Sequence, residues 1–163
     1  MSEQEPSPES LPSVEIAYPI ALEAYETAVK RFDAVDSKLN TLVTFAVTVS
    51  LAVPVLAQAK NLSFRSVWFT IAALAFVAGI GVATYARIVG NLMLLSPRAL
   101  YDQYLDLQPW QFKRHMIDWA GENWEHNKAL INRNGTLAAI AAILFSLEVV
   151  AVAAWVMSVV GSP

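Results

Sequence analysis

The sequence predicts an all-α integral membrane protein: three transmembrane helices, with a cytosolic helical stalk formed by extensions of helices 1 and 3. Three observations carry that fold class. First, 56% of the 163 residues are hydrophobic and only 15% are charged, against roughly 25% charged in an ordinary soluble domain. Second, the windows 41–58, 67–86 and 136–159 contain a single charged residue, Glu148. The second and third windows reach the ~20 residues needed to cross a ~30 Å hydrocarbon core, and the first lies at the short end of the accepted range. Third, the basic residues are lopsided. Lys30, Arg31 and Lys38 precede the first span, and Arg87, Arg98, Lys113, Arg114, Lys128 and Arg133 follow the second, while the first loop holds only Lys60 and Arg65. Lys and Arg accumulate on the cytoplasmic side, so the N-terminus is expected inside and the C-terminus, 161–163, outside. Trp68 and Trp155 then fall near the outer ends of their spans, as interfacial anchors do.

Each element follows in order. Residues 1–19 carry four glutamates, four prolines and no Lys or Arg, which excludes a signal peptide and reads as a disordered acidic cytosolic tail. The remainder, 20–160, is a single membrane domain. Over 21–40 the apolar residues Leu22, Tyr25, Val29, Phe32 and Leu39 form a 3-4 seam interrupted at Asp36. Nothing breaks the chain between it and the first span, so one helix is expected over 21–58. After the second span, Ser96-Pro97 has the form of an N-cap followed by proline at the first helical position, predicting a short cytosolic helix over 97–107. A longer one follows over 110–133. Its Trp110, Ile117, Trp124 and Ile131 recur every seven residues, and the Leu22–Leu39 seam is their expected partner.

The composition excludes several function classes. Cysteine is absent and the net charge is −3, so disulfide scaffolds, thiolate chemistry and nucleic-acid binding have no basis. No phosphate-binding loop, nucleophile triad or metalloprotease pattern occurs, and neither an enzyme nor a cofactor is expected. His115, Asp118, Glu122 and His126 share a helical face, but a solvated helix shows the same, and no metal is assigned to them. Trp110, Trp119 and Trp124 admit a ligand pocket or plain helix packing. Asn127 and its neighbours Asn123, Asn132 and Asn134 are unusual in a helix and point to cross-helix hydrogen bonds in the stalk.

Two features remain inside the spans. Glu148 sits mid-span, where a charge costs at least ~2.5–3.5 kcal/mol and must face protein or water. Its expected counterparts lie on the first span: the hydroxyls of Thr44 and Thr48, and the Ser50 carbonyl that Pro54 cannot bond. Three readings stand: a protonated carboxyl locking the bundle, an ion- or proton-conducting group, and a side chain exposed to lipid. On the second span, Ala75, Gly79 and Ala83 form a small-xxx-small series, serving either packing within the chain or a homo-oligomer interface.

At Asp36-Ser37-Lys38-Leu39-Asn40 an Asp-x-Lys pair on a cytosolic helix runs straight into a span. This resembles the membrane-spanning effector domain of bacterial Pycsar anti-phage systems and, more loosely, SLATT effector domains. The hairpin that follows, the Ser96-Pro97 break and the long helix feeding the last span through Asn127 to Gly135 fit that layout over about residues 20–160. The resemblance implies an oligomeric effector of the bacterial cell inner membrane that perturbs the bilayer in antiviral defence. Its partners would be the lipid bilayer, further copies of itself, and a nucleotide signal or soluble cytosolic protein. A non-catalytic membrane scaffold whose stalk docks a partner is the alternative reading.

Overall fold

The computed structural model describes residues 13–60, 63–96, 98, 102 and 104–160. It is all-helical, with three long helices: α1 (Val14–Lys60), α2 (Val67–Ile88) and α3 (Pro109–Val160). Each is long and apolar enough to cross a membrane, which makes the chain, by length and composition, a multi-pass membrane protein. Expectations for 1–12 and 161–163 lie outside the described residues, and so do five of the eleven positions of the short helix over 97–107, while Arg98, Asp102 and Tyr104 are helical. Of that segment, Arg98 donates its backbone N–H to the Ser96 hydroxyl at 3.3 Å, and its side chain meets Asp102 at 3.3 Å.

Helix α1 begins at Val14, not at residue 21, and runs through both Pro19 and Pro54. The expected tail is therefore too long by six residues. A proline inside a helix lacks the N–H that its i−4 carbonyl needs, yet packing outweighs that loss. Val14 is buried, Lys113 pairs with Glu15, and the same ammonium lies 5.9 Å from the centre of the Tyr18 ring. Helix α2 is capped by Ser66, whose side chain accepts from the Trp68 N–H. It ends where the Val89 N–H bonds to the Tyr85 carbonyl and Gly90 takes a φ of 101°, a conformation only glycine adopts cheaply. Helix α3 opens with Pro109, whose missing N–H costs nothing at the first position. The Gln111 side chain reaches back to accept from the Gln108 N–H at 3.0 Å, half of a capping box.

The chain divides into two units, Met1–Phe32 with Asn91–Ile131, and Asp33–Gly90 with Asn132–Pro163. In the first, Ala28 of α1 and Leu130 and Asn127 of α3 are buried, and Tyr25 of α1 stands edge-on to Trp119 of α3 at 5.6 Å. The expected seam is met in part: Tyr25 and Leu39 turn inward, and Val29, Phe32, Ile117 and Ile131 are half-buried. Leu22 is 45% exposed and Trp124 36%, while Tyr18, Ala21, Tyr25 and Ala28 turn inward. Alanine contributes little to an apolar pattern, yet it lets two backbones approach closely and so becomes the contact.

The second unit holds the membrane-crossing parts of all three helices. Its core joins Leu39 and Ala46 of α1, Ala83 and Ala86 of α2, and Ala138, Ala141 and Phe145 of α3. The buried side of α2 consists of Ala72, Ala75, Gly79, Ala83 and Ala86. Its bulky residues, such as Leu74 and Val77, face outward, as they can in lipid, where tails are as apolar as leucine. At the end of the unit containing Ala57, Phe64 and Phe69 surround Trp155, which is 1% exposed and donates its indole N–H to the Ser63 carbonyl at 3.1 Å. Trp155 is thus a core residue and not an interfacial anchor, because the loop carbonyl satisfies the N–H that an anchor would present to headgroups. Trp68 is 42% exposed.

Candidate functional site

Helix α3 buries Asn134, Ala138, Ala141, Phe145, Glu148, Val152 and Trp155 along one stripe in the second unit. These alternate by three and four residues, the spacing of a seam between packed helices. Glu148, on that stripe, is 1% exposed. Ser50 of α1 donates its hydroxyl to Glu148 Oε1 at 2.8 Å, and Oε2 has no hydrogen-bond partner among the described residues. Fourteen residues earlier on the same stripe, Asn134 is buried with its Oδ1 also unpartnered there. Buried polar atoms are nearly always paired, so two buried oxygens without a partner among the described residues set this stripe apart. The carboxyl can take up or release a proton, or meet a cation once water reaches it.

The expected counterparts of Glu148 are only partly brought together. Thr44 and Thr48 are exposed, and the Thr48 hydroxyl donates to the Thr44 carbonyl at 2.8 Å, a local bond that ends any need for a distant partner. Pro54 is also exposed. Ser50 meets the carboxyl through its hydroxyl, not through the carbonyl that Pro54 leaves free. Two residues along a helix turn the chain by about 200°, so Thr48 and Ser50 cannot serve the same partner.

Ala75, Gly79 and Ala83 are buried against the other helices of this unit. A Cβ on Gly79 would lie 2.4 Å from Phe145 Cε1, so the glycine makes room for that ring. Asp36 does not act with Lys38. Its Oδ1 lies 3.4 Å from Arg87 Nε, and Arg87 also donates to Asn40 Oδ1, while Asn40 Nδ2 donates to Asp36 Oδ2 at 3.3 Å. This cluster ties α1 to the end of α2, where Arg133 of α3 donates to the Val89 carbonyl. Sequence reasoning missed it because Arg87 and Asn40 lie 47 residues apart.

In the first unit, Asn127 is buried and holds the Met93 peptide at both ends, donating to its carbonyl at 3.2 Å and accepting from its N–H at 2.9 Å. Its partner is an extended segment and not a second stalk helix. Trp119 and Trp124 line a cavity of about 320 Å³ with Ala17, Ala21, Tyr25 and Ile117. Trp110 does not line it. His115 lies against the Tyr104 ring at 5.7 Å, and Asp118 is 4.0 Å from Arg114; among the described residues no three ligating side chains converge on a metal position.

Compared with known protein families, with curated proteins and with solved structures, the chain matches none of them.

Proposed function

We propose that the protein is a small oligomeric effector of the bacterial cell inner membrane that perturbs the bilayer when its helices rearrange, in the manner of anti-phage effectors. The observation that carries this reading is Glu148, sealed inside a unit of three apolar helices with one oxygen bonded to Ser50 and the other unpartnered among the described residues. Replacing a buried ionisable group by an apolar one of similar volume is often neutral or stabilising, so packing alone gives little reason to place a carboxyl there. Three helices cannot enclose an aqueous path, and several copies are needed to expose these carboxyls to water. The excess of Lys and Arg before the first span and after the second supports an N-terminus in the cytoplasm and a C-terminus outside. The unit of Met1–Phe32 and Asn91–Ile131 is then the cytosolic part, where a nucleotide signal or a soluble partner would act.

The test is dye release from liposomes holding the wild-type protein, Ser50→Ala, or Ser50→Ala with Glu148→Leu. Loss of the Ser50 hydroxyl removes the one hydrogen bond to Glu148 among the described residues, and leakage rises; the double variant, with no carboxyl to expose, is tight again. Equal tightness of all three folded proteins refutes the effector reading. It would favour a membrane scaffold whose cytosolic unit docks a partner, a second reading supported by the open apolar cavity beside Trp119 and Trp124.

A further inference from the structure

A groove of about 600 Å³ runs between α1 and α3 in the membrane-crossing unit, lined among others by Ser37, Lys38, Leu42, Gly135 and Ala139. Its lining covers 34–42 of α1 and 135–142 of α3, roughly 12 Å of helix at 1.5 Å per residue. The two helices run in the same direction here, since Leu39 packs with Ala138 at one end of the unit and Ala57 with Trp155 at the other. The ends of the groove therefore differ chemically. Ser37 and Lys38 stand at the end where both helices enter the membrane, and Leu42 and Ala142 lie deeper.

Lys38 is exposed and has no ion-pair partner among the described residues. The Ser37 hydroxyl makes no hydrogen bond there either, whereas Thr41 spends its own on the Ser37 carbonyl at 3.0 Å. The nearby arginines are occupied, Arg87 by Asp36 and Asn40, and Arg133 by the Val89 carbonyl. No acidic side chain lines the groove. A free cation and a free hydroxyl above an apolar trough match an anionic headgroup above an acyl chain. A second copy fits worse: two parallel copies meeting face to face here would bring their Lys38 ammoniums together at one depth, with no carboxylate between them.

We propose that this groove binds one anionic phospholipid, its phosphate held by Lys38 and Ser37 and one acyl chain lying along Ala138, Ala139 and Ala142. The site depends on the membrane-spanning reading of the chain and not on the effector reading. A basic residue at a membrane surface contributes on the order of 1 kcal/mol toward anionic lipid, which is about a five-fold preference.

Native mass spectrometry of the full chain, released from micelles containing equal phosphatidylglycerol and phosphatidylcholine, tests it. One retained lipid, phosphatidylglycerol over phosphatidylcholine by about five-fold, is the expected result. Lys38→Gln, at an exposed position that leaves the fold intact, removes the preference but not the retained lipid. Ala139→Trp fills the trough and removes both lipids, with Ala142→Leu as the milder filling variant, and Lys30→Gln changes nothing. A preference that survives Lys38→Gln overturns the proposal. So does a lipid adduct that survives both filling variants, or a protein dimer, in place of an adduct, that disappears with them.

Discussion

Gly79 faces the ring of Phe145 so closely that one added methyl group probes how the membrane-crossing unit is built. In Gly79→Ala the new Cβ would sit 2.4, 2.8 and 3.0 Å from three ring atoms. Ordinary carbon contacts begin near ~3.5 Å, so the ring must retreat by about 1 Å. Phe145 is 2% exposed within the core cluster and has nowhere to go. Over-packing of this kind costs about 1–3 kcal/mol, offset by about 1 kcal/mol from replacing glycine with alanine in a helix, leaving a net loss of roughly 0–2 kcal/mol. Because the two contributions oppose each other, the single variant decides little and the double-mutant cycle decides a great deal. Phe145→Leu alone leaves a void costing about 1–2 kcal/mol; combined with Gly79→Ala, the methyl group occupies that void. The pair should be more stable than the sum of its parts by about 1–3 kcal/mol. Unfolding of the reconstituted protein, followed by loss of helical circular dichroism, gives all four stabilities. Gly81→Ala, where a Cβ meets nothing within 4 Å, controls for helix propensity. Additivity of the two changes to within about 0.5 kcal/mol would refute the packing argument.

Two further outcomes follow from single hydrogen-bonding side chains. Asn127→Leu leaves both ends of the part-buried Met93 peptide without their side-chain partner, at about 0.5–1.5 kcal/mol for each bond; amide exchange at Met93 should accelerate several-fold, and unchanged exchange would show that the clamp bears no load. Trp155→Phe keeps the aromatic packing but loses the bond to the Ser63 carbonyl, a cost of about 1 kcal/mol. Tryptic cleavage at Arg65 in the neighbouring loop should rise several-fold, while an unaltered cleavage rate would place the hold on that loop elsewhere.

The helices were legible because lipid imposes a coarse, long-range demand: about twenty apolar residues in succession, met by α2 almost to its ends. The joining of stalk and span into single helices was equally visible, since no strong breaker separates Leu39 from Thr41 or Asn132 from Thr136. What the sequence concealed were the contacts. A pattern that follows large apolar residues finds Tyr25 and Leu39 but also selects the exposed Leu22 and Trp124, and it passes over Ala28, whose value lies in being small. The prolines misled in the opposite direction, because Pro19 reads as a stop until the packing of Val14 and Tyr18 around it is known. Glu148 announced itself as the lone charge in the spans, and Ser50 was in view, but for its carbonyl and not its hydroxyl. Arg87 with Asp36 and Asn40 was beyond reach, since nothing local links residues so far apart in the chain.

The arrangement of α2 reverses the usual map of which substitutions a helix tolerates. In a soluble protein the bulky apolar positions are the ones that resist change and the alanines are replaceable. Here Leu74, Val77 and Ile88 point away from the rest of the unit, and any residue that lipid accepts serves in their place. Ala72, Ala75, Gly79, Ala83 and Ala86 admit nothing larger without parting the helices. Variation is therefore free at these exposed large residues and confined at the buried small ones, and hydropathy is blind to the difference.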